Sequence, residues 1–439
     1  MQIRSKEGLT YPFQYQIEEL SLYSTLIDKR VNLSEVMGEI SIYENMFTNV
    51  ITGNVVVQES ANMISNFPVV GHEKIDITLF DPQKPDTEIK KTFKVYNLSN
   101  INAPRQDVNT YIINFISEEY LTSMKTSISR SFPNTTISNI VRKIFAADLD
   151  SEKKIDIEKT KNNHDIVIPN WKPLDAINWL SKRSVAEKYE GANFLFYETR
   201  EGFKFKSLES LVDEKSQETY RRQRTASTDE PERNLVRDDT DKSIESLRIS
   251  DSFNLLKNIP IGMYASRMVV HDMIKRKTET LDYDYSKSYP KQMHLENNPD
   301  NKKWLLEEVQ GVDAQGSSML VGETTDDYTT SPLSKQYHVV RFDEKNDYTE
   351  KAIQNRVSQM QQAENIKISV TLPGDVKRNV GDIITFDLDS IQAGERAEDR
   401  LYSGKYLVTS LRHSIKDDRH SMIMEVVKDS YFSSLPKGK

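Results

Sequence analysis

The chain has 439 residues, more than one hydrophobic core accommodates, so two or three packed units are expected. Its 59 Lys plus Arg against 67 Asp plus Glu leave a formal charge of −8, which disfavours a surface built to grip nucleic acid through its phosphates. There is no cysteine, which excludes disulfides, thiolate zinc sites and a cysteine nucleophile; with no apolar leader and no run of about 20 apolar residues, the chain is expected to be neither exported by a standard signal nor embedded in a bilayer.

Residues 31 to 118 read as β structure. GEISIYENMFTNVITGNVVVQES gives two strands, about 38 to 44 and 51 to 58, and EKIDITLF puts Ile75, Ile77 and Leu79 on one face with Asp76 and Thr78 on the other. FKVYNL and YIINFIS continue the alternation, so an antiparallel sheet or small barrel is expected. Near residue 120 the period changes. Asn134 or Thr135 is expected to cap a helix carrying Ile137, Ile140, Val141, Ile144 and Phe145 on one stripe. Pro173 opens a second, shorter helix with Leu174, Ile177 and Leu180 inward. NFLFYETREGFKFKSL reads as a hairpin turning at Glu201-Gly202.

Residues 213 to 243 are mixed-charge with few large apolar side chains, and a long surface loop is expected there. A short helix near 250 to 258 and strands near 264 to 272 and 277 to 285 follow, then a polar connection over 286 to 334. Residues 349 to 364 form a helix with Ile353, Val357 and Met360 on one side. Four strands come after it: IKISVTL, GDIITFDL, GKYLVTSL and SMIMEVV. The two end regions share strand content without a clear sequence repeat, which permits structural duplication.

Chemistry is sparse. The acidic pairs Asp282/Asp284, Asp326/Asp327 and Asp387/Asp389 could share a strand face as a metal or acid/base site would, but among 67 acids such pairs arise by chance. His271-Asp272 lacks a G-x-S-x-G elbow, and the seven histidines make no ligand spacing. YRRQR (220 to 224) and KRK (275 to 277) lie among acids and read as solvated loops. Phe194, Phe196, Phe203 and Phe205 share one hairpin and read as core rather than a base-stacking platform. No catalytic residue, metal ligand or cofactor is assigned.

The order of SEEYLTSMKTSISRSFPNTTISNIVRKI, IVIPNWKPLDAINWLSKRS, NFLFYETREGFKFKSL, FNLLKNIPIGMYASRMVVHDMIKRKTETLDYDY, VTLPGDVKRNVGDIITFDL and YSGKYLVTSLRHSI resembles the baseplate hub family of contractile-tailed bacteriophages. That family is similar in turn to the hub part of type VI secretion spike proteins. The resemblance implies a mainly β chain with an α/β insertion (α+β): two tail-tube-like antiparallel β-barrel domains plus an inserted helix and hairpin subdomain. The implied domains are 1–119 (first barrel), 120–211 (insertion), 212–334 (charged loop, connecting strands and polar linker) and 335–439 (second barrel with its preceding helix).

The implied function is a non-enzymatic structural hub of the virion, assembled in the host cytoplasm. A homotrimeric, pseudo-sixfold ring would adapt the hexameric tail tube to the trimeric central spike, because duplicated domains let a threefold assembly offer a sixfold face. Its partners would be the tail tube protein, the central spike protein, other baseplate proteins and the tape measure protein. DNA would pass the bore at ejection during virus entry, kept from adhering by the acidic charge, with no membrane contact. Phe253, Leu255, Leu256, Ile259, Ile261, Met263 and Tyr264 are the candidate interface residues, with plain intrachain core as the competing reading. The alternatives are the hub of a bacterial secretion or contractile-injection spike and, from another class, a cell-wall hydrolase using Asp282 or Asp284.

Overall fold

The computed structural model describes residues 16–60, 63–67, 69–81, 84–105, 108–189, 192–222, 242–252, 254–297, 335–341, 347–389, 399–417 and 419–432. The first unit holds β1 (Gln16–Ser24), β2 (Lys29–Asn32), β3 (Met37–Asn45), β4 (Thr52–Glu59), a single turn α1 (Met63–Asn66), β5 (Glu73–Asp81), the long β6 (Lys84–Arg105) and β7 (Val108–Ile116). Alternation dictates its interior. Ile40, Val55, Val57, Ile75, Ile77, Leu79, Phe93, Val95, Ile113 and Phe115 all point into one core. Gly53 belongs to the same packing: a Cβ there would lie 2.3 Å from the Phe115 ring, so only glycine lets that ring cross β4.

A second core lies in the insertion. It is built from α2 (Glu118–Lys125), β8 (Ile128–Thr135), α3 (Ile137–Ala147), β9 (Ile155–Ile157), β10 (His164–Trp171), α4 (Pro173–Ser181), β11 (Phe194–Thr199), β12 (Gly202–Ser207) and α5 (Leu208–Val212). The expected stripe of α3 is buried in full, though its cap is Thr136 rather than Asn134 or Thr135. The β11–β12 hairpin turns where the sequence places it, and its four phenylalanines are core, with Phe196 stacked on Phe203 at 5.3 Å.

The third core gathers β13 (Glu218–Arg221), β14 (Ser246–Asp251), α6 (Leu255–Ile261), β15 (Ala265–Asp272), β16 (Lys277–Asp284), α7 (Tyr285–Ser288), β17 (Gln336–Arg341), α8 (Asp347–Ala363), β18 (Ile366–Pro373), β19 (Ile383–Asp387), β20 (Gly404–Lys416) and β21 (Arg419–Lys428). Here the structure corrects three expectations. Residues 218–221 are not loop: β13 pairs parallel with β19 and sinks Tyr220 into the core. The helix expected near 250 to 258 starts later, because Asn254 caps it at Lys257 N and residues 246–251 pair with β18 as strand. The start of the polar connection after 285 is core-forming, with Tyr289 and Leu295 buried.

Helix α8 departs from its expected orientation. Ile353, Val357 and Met360 are half-buried, whereas Gln354, Ser358, Gln359 and Gln362 are buried. Each of those polar groups has work inside: Gln354 Nε2 donates to Ser266 O at 2.9 Å, Ser358 Oγ to Met263 O at 2.6 Å, Gln359 Nε2 to Glu209 Oε1 at 2.7 Å, and Gln362 Nε2 to Ser358 Oγ at 2.9 Å. Burial with satisfied partners outweighs the apolar pattern.

The two end units share one topology. The first runs β3-β4-β7-β6-β5 and the last runs β14-β18-β21-β20-β19, with corresponding antiparallel partners throughout. Even an irregularity repeats. The bulge between Val95 and Asn97 on β6 matches the bulge between Val408 and Ser410 on β20. Duplication invisible in the residues is therefore explicit in the strand order.

Candidate assembly interface

The two similar units meet along β20. Its first residues pair with β19, and from Ser410 onward the same edge is taken by β3, so one 13-stranded sheet runs through both units. Polar groups on one face pin the joint. Arg412 Nη2 donates to Glu39 Oε1 at 2.6 Å and to Ser41 Oγ at 3.0 Å, and Ser414 Oγ donates to the same carboxylate at 2.9 Å. Burial pushes the Glu39 carboxyl up, but the Ser414 and Ser41 hydrogen bonds and the Arg412 charge outweigh it and hold the group below the usual carboxylate range.

On the other face, His413 lies opposite Ile42 and its Nδ1 is 2.9 Å from His420 Nε2. Both rings are buried, and burial lowers both pKa values, His413 to about 4 and His420 well below its ordinary value. Gly374 makes the space: a Cβ there would fall 1.9 Å from His420 Nδ1.

A buried charge cluster ties the insertion to the first unit. Lys153 Nζ donates to Glu119 Oε2 and to Glu198 Oε1, each at 2.7 Å, and Lys91 Nζ approaches Glu198 Oε1 at 3.9 Å. Glu198 Oε2 also accepts from Ile51 N at 3.0 Å. Burial pulls the Lys153 ammonium down, but Glu198 and Glu119 more than offset this and raise its pKa; at Lys91 burial wins and lowers it. Beside the cluster Glu44 is fully buried and pushed up to about 8 by desolvation. A reciprocal amide pair, Asn49 with Asn178 at 2.8 Å in both directions, completes the seam.

A strap closes over the last unit. His294 Nδ1 meets Asp429 Oδ2 at 2.8 Å, Leu295 N donates to Asp429 Oδ1 at 3.1 Å, and Glu296 N donates to Ser430 Oγ at 2.8 Å. Burial depresses His294, but the hydrogen bond and charge of Asp429 outweigh it and raise its pKa.

The candidate interface residues separate. Met263 and Tyr264 are buried in the third core, with Tyr264 edge-on to Tyr285 at 5.7 Å; Ile259 packs against that core and Ile261 is half-buried. Leu256 is 90% exposed. Phe253 lies outside the described residues, as do Asp326 and Asp327, and Leu255 is described in backbone only. Asp282 receives both Arg267 Nε and Nη2, Asp284 is 3.2 Å from Lys287, and Asp387 is 3.0 Å from Arg221. His271 stacks on His338 at 5.9 Å. Within the basic cluster Tyr220 is core and Arg221 is ion-paired. Among the described residues no three His, Cys, Asp or Glu gather as a metal site, and no helix is long and apolar enough to cross a membrane.

What the sequence reading missed is the set that holds the units together: Glu39, Arg412, Glu198, Lys153 and the histidine pair. Glu198 offered a signal. It is a lone carboxylate in FLFYET, a strand whose six residues are all buried.

Two like β units on one sheet with an α/β insertion between them define a tail-hub fold. The 43 kDa tail protein of prophage MuSo2 from Shewanella oneidensis has the same architecture, with a TM-score of 0.53 at 11% identity over 94% of this chain and 99% of that one. The tail protein of Neisseria meningitidis MC58 superposes with a TM-score of 0.52 at 10% identity, covering 95% and 97%. No protein-family model matches. At the sequence level the chain is 23% identical over 412 residues, 92% of each protein, to the probable baseplate hub protein gp334 of Vibrio phage KVP40. The chain is thus similar in sequence to a phage baseplate hub protein over most of both chains, and in fold to phage tail proteins.

Proposed function

We propose that the protein assembles as a homotrimeric ring in which six similar β units surround a bore, joining a hexameric tail tube to a trimeric central spike and bounding the path of DNA. The observation that carries this reading is the repeated strand order of the two end units, set side by side on one sheet. A threefold ring of such chains presents six equivalent lobes to the tube and three chains to the spike. The division into domains 1–119, 120–211, 212–334 and 335–439 is part of the proposal; the cores of the first unit and of the insertion support the first two, whereas residues 212–334 share the third core with 335–439. The protein acts without catalysis and without a cofactor. Its partners are the tube, the spike, neighbouring baseplate proteins and the tape measure protein, and DNA slides past without specific contact.

Multi-angle light scattering on the purified chain tests the assembly. The expected mass is three times the 50.7 kDa of one chain. A monomer at high concentration that also fails to retain tube or spike protein in a pull-down contradicts the proposal.

A further inference from the structure

The joint within the chain has a structural counterpart in two outer strand edges. Strand by strand, β3 corresponds to β14, β4 to β18, β5 to β19, β6 to β20 and β7 to β21. Within the chain β20 of the last unit gives its outer edge to β3 of the first. The corresponding strands on the far sides are β6 and β14. Among the described residues neither has that partner: β5 covers β6 only as far as Lys94, leaving the stretch 95–105 with an open edge opposite β7, and β14 ends the sheet. An open, apolar strand edge is a template for another strand.

Exposure follows the missing partner. Thr409 on β20 is 2% exposed, and its counterpart on β6, Tyr96, is 51% exposed; Ile42 on β3 is 3% exposed, and its counterpart on β14, Ile249, is 39% exposed. Ile101, further along the open stretch of β6, is 59% exposed. Sequence positions adapted to burial at one joint are thus apolar and bare at the other.

We propose that β6 of one subunit pairs antiparallel with β14 of the next, repeating the β20–β3 joint and continuing a single sheet around the ring. This rests on the homotrimer reading and names its contact surface, with a second copy of the chain as occupant. The contact is head-to-tail, since the two edges differ, and such contacts close into a ring when the rotation between copies closes. The register carries over as well. Arg412 opposes Tyr43 and His413 opposes Ile42 in the internal joint; the matching positions are Ser99 with Asp251 of the neighbouring copy and Asn100 with Ile249 of the neighbouring copy, set where β6 is irregular after Ser99, with Asn100 at φ 52°, and where β14 is irregular between Ile249 and Asp251.

The absence of cysteine makes disulfide trapping clean. Paired residues on adjacent antiparallel strands lie within disulfide reach. Under mild oxidation the Ser99→Cys/Asp251→Cys variant, or the neighbouring pair Asn100→Cys/Ile249→Cys, is expected to shift most of the chain to a covalent three-chain species on a non-reducing gel. Each single variant is expected to stay at one chain. The Tyr43→Cys/Arg412→Cys variant serves as the internal control and should close within one chain. If the wild type is trimeric by light scattering and the control closes while both pairs stay unlinked, the strand pairing is wrong and the trimer stands. If the wild type is monomeric, the reading beneath it fails first.

Discussion

Replacing Lys153 with methionine is expected to destabilise the protein by about 3 kcal/mol, the lower end of the range for breaking a buried ion pair, because the side chain keeps 27% of its surface exposed. Its ammonium is shared by Glu119 and Glu198, and the Glu198 side chain has no exposed surface. Without Lys153, Glu198 keeps, among the described residues, Lys91 at 3.9 Å and the Ile51 amide as compensation. Denaturant unfolding at neutral pH gives the measurement. Adding Glu119→Gln should recover part of the loss, since it removes one of the stranded charges. An unchanged midpoint for Lys153→Met would mean that the cluster does not hold the insertion to the first unit.

Acid should undo the histidine pair. His413 and His420 have folded pKa values below their ordinary 6.5, so at pH above 6.5 neither state binds the proton and the pair contributes in full. As pH falls from 6.5 towards 4 the unfolded chain takes up protons that the folded chain refuses, and stability drops by about 2 kcal/mol by pH 5 through His413, with His420 acting in the same direction. Other groups act in the opposite direction. Glu44, raised to about 8, and His294, also raised, favour the folded state on acidification. The clean observable is therefore a difference between proteins. The stability gap between wild type and His413→Asn/His420→Asn should hold nearly constant from pH 7.5 to about 6.5 and then shrink towards pH 5; a gap independent of pH would place the imidazoles in contact with solvent.

These expectations concern features that the sequence displays poorly, and the reason is distance along the chain. Alternation at residues 38 to 58 and 366 to 428 is local, and it predicts the strands; the joint that unites them couples Arg412 to Glu39 across 373 positions and has no local signature. The duplicated topology is hidden for a related reason. Corresponding strands conserve only inward-facing apolar character, so Val55 matches Val370 and Val95 matches Val408 while the outward residues diverge. Helix α8 shows the limit of periodicity from another side: its glutamines look solvent-facing until the backbones they bind are brought to them. In the candidate interface, Met263 and Tyr264 are apolar because they fill the third core, whereas Leu256 on α6 is bare, as are Tyr96, Ile101 and Ile249 on strand edges. Side-chain type alone cannot separate those two uses of hydrophobicity.

The most direct test of the account is the rotational order of the assembled protein in averaged electron micrographs viewed down its axis. The account predicts three chains forming six lobes of similar size around an open bore, each chain contributing two adjacent lobes. A particle with no bore, or with the two end units of each chain at different radii, would contradict it.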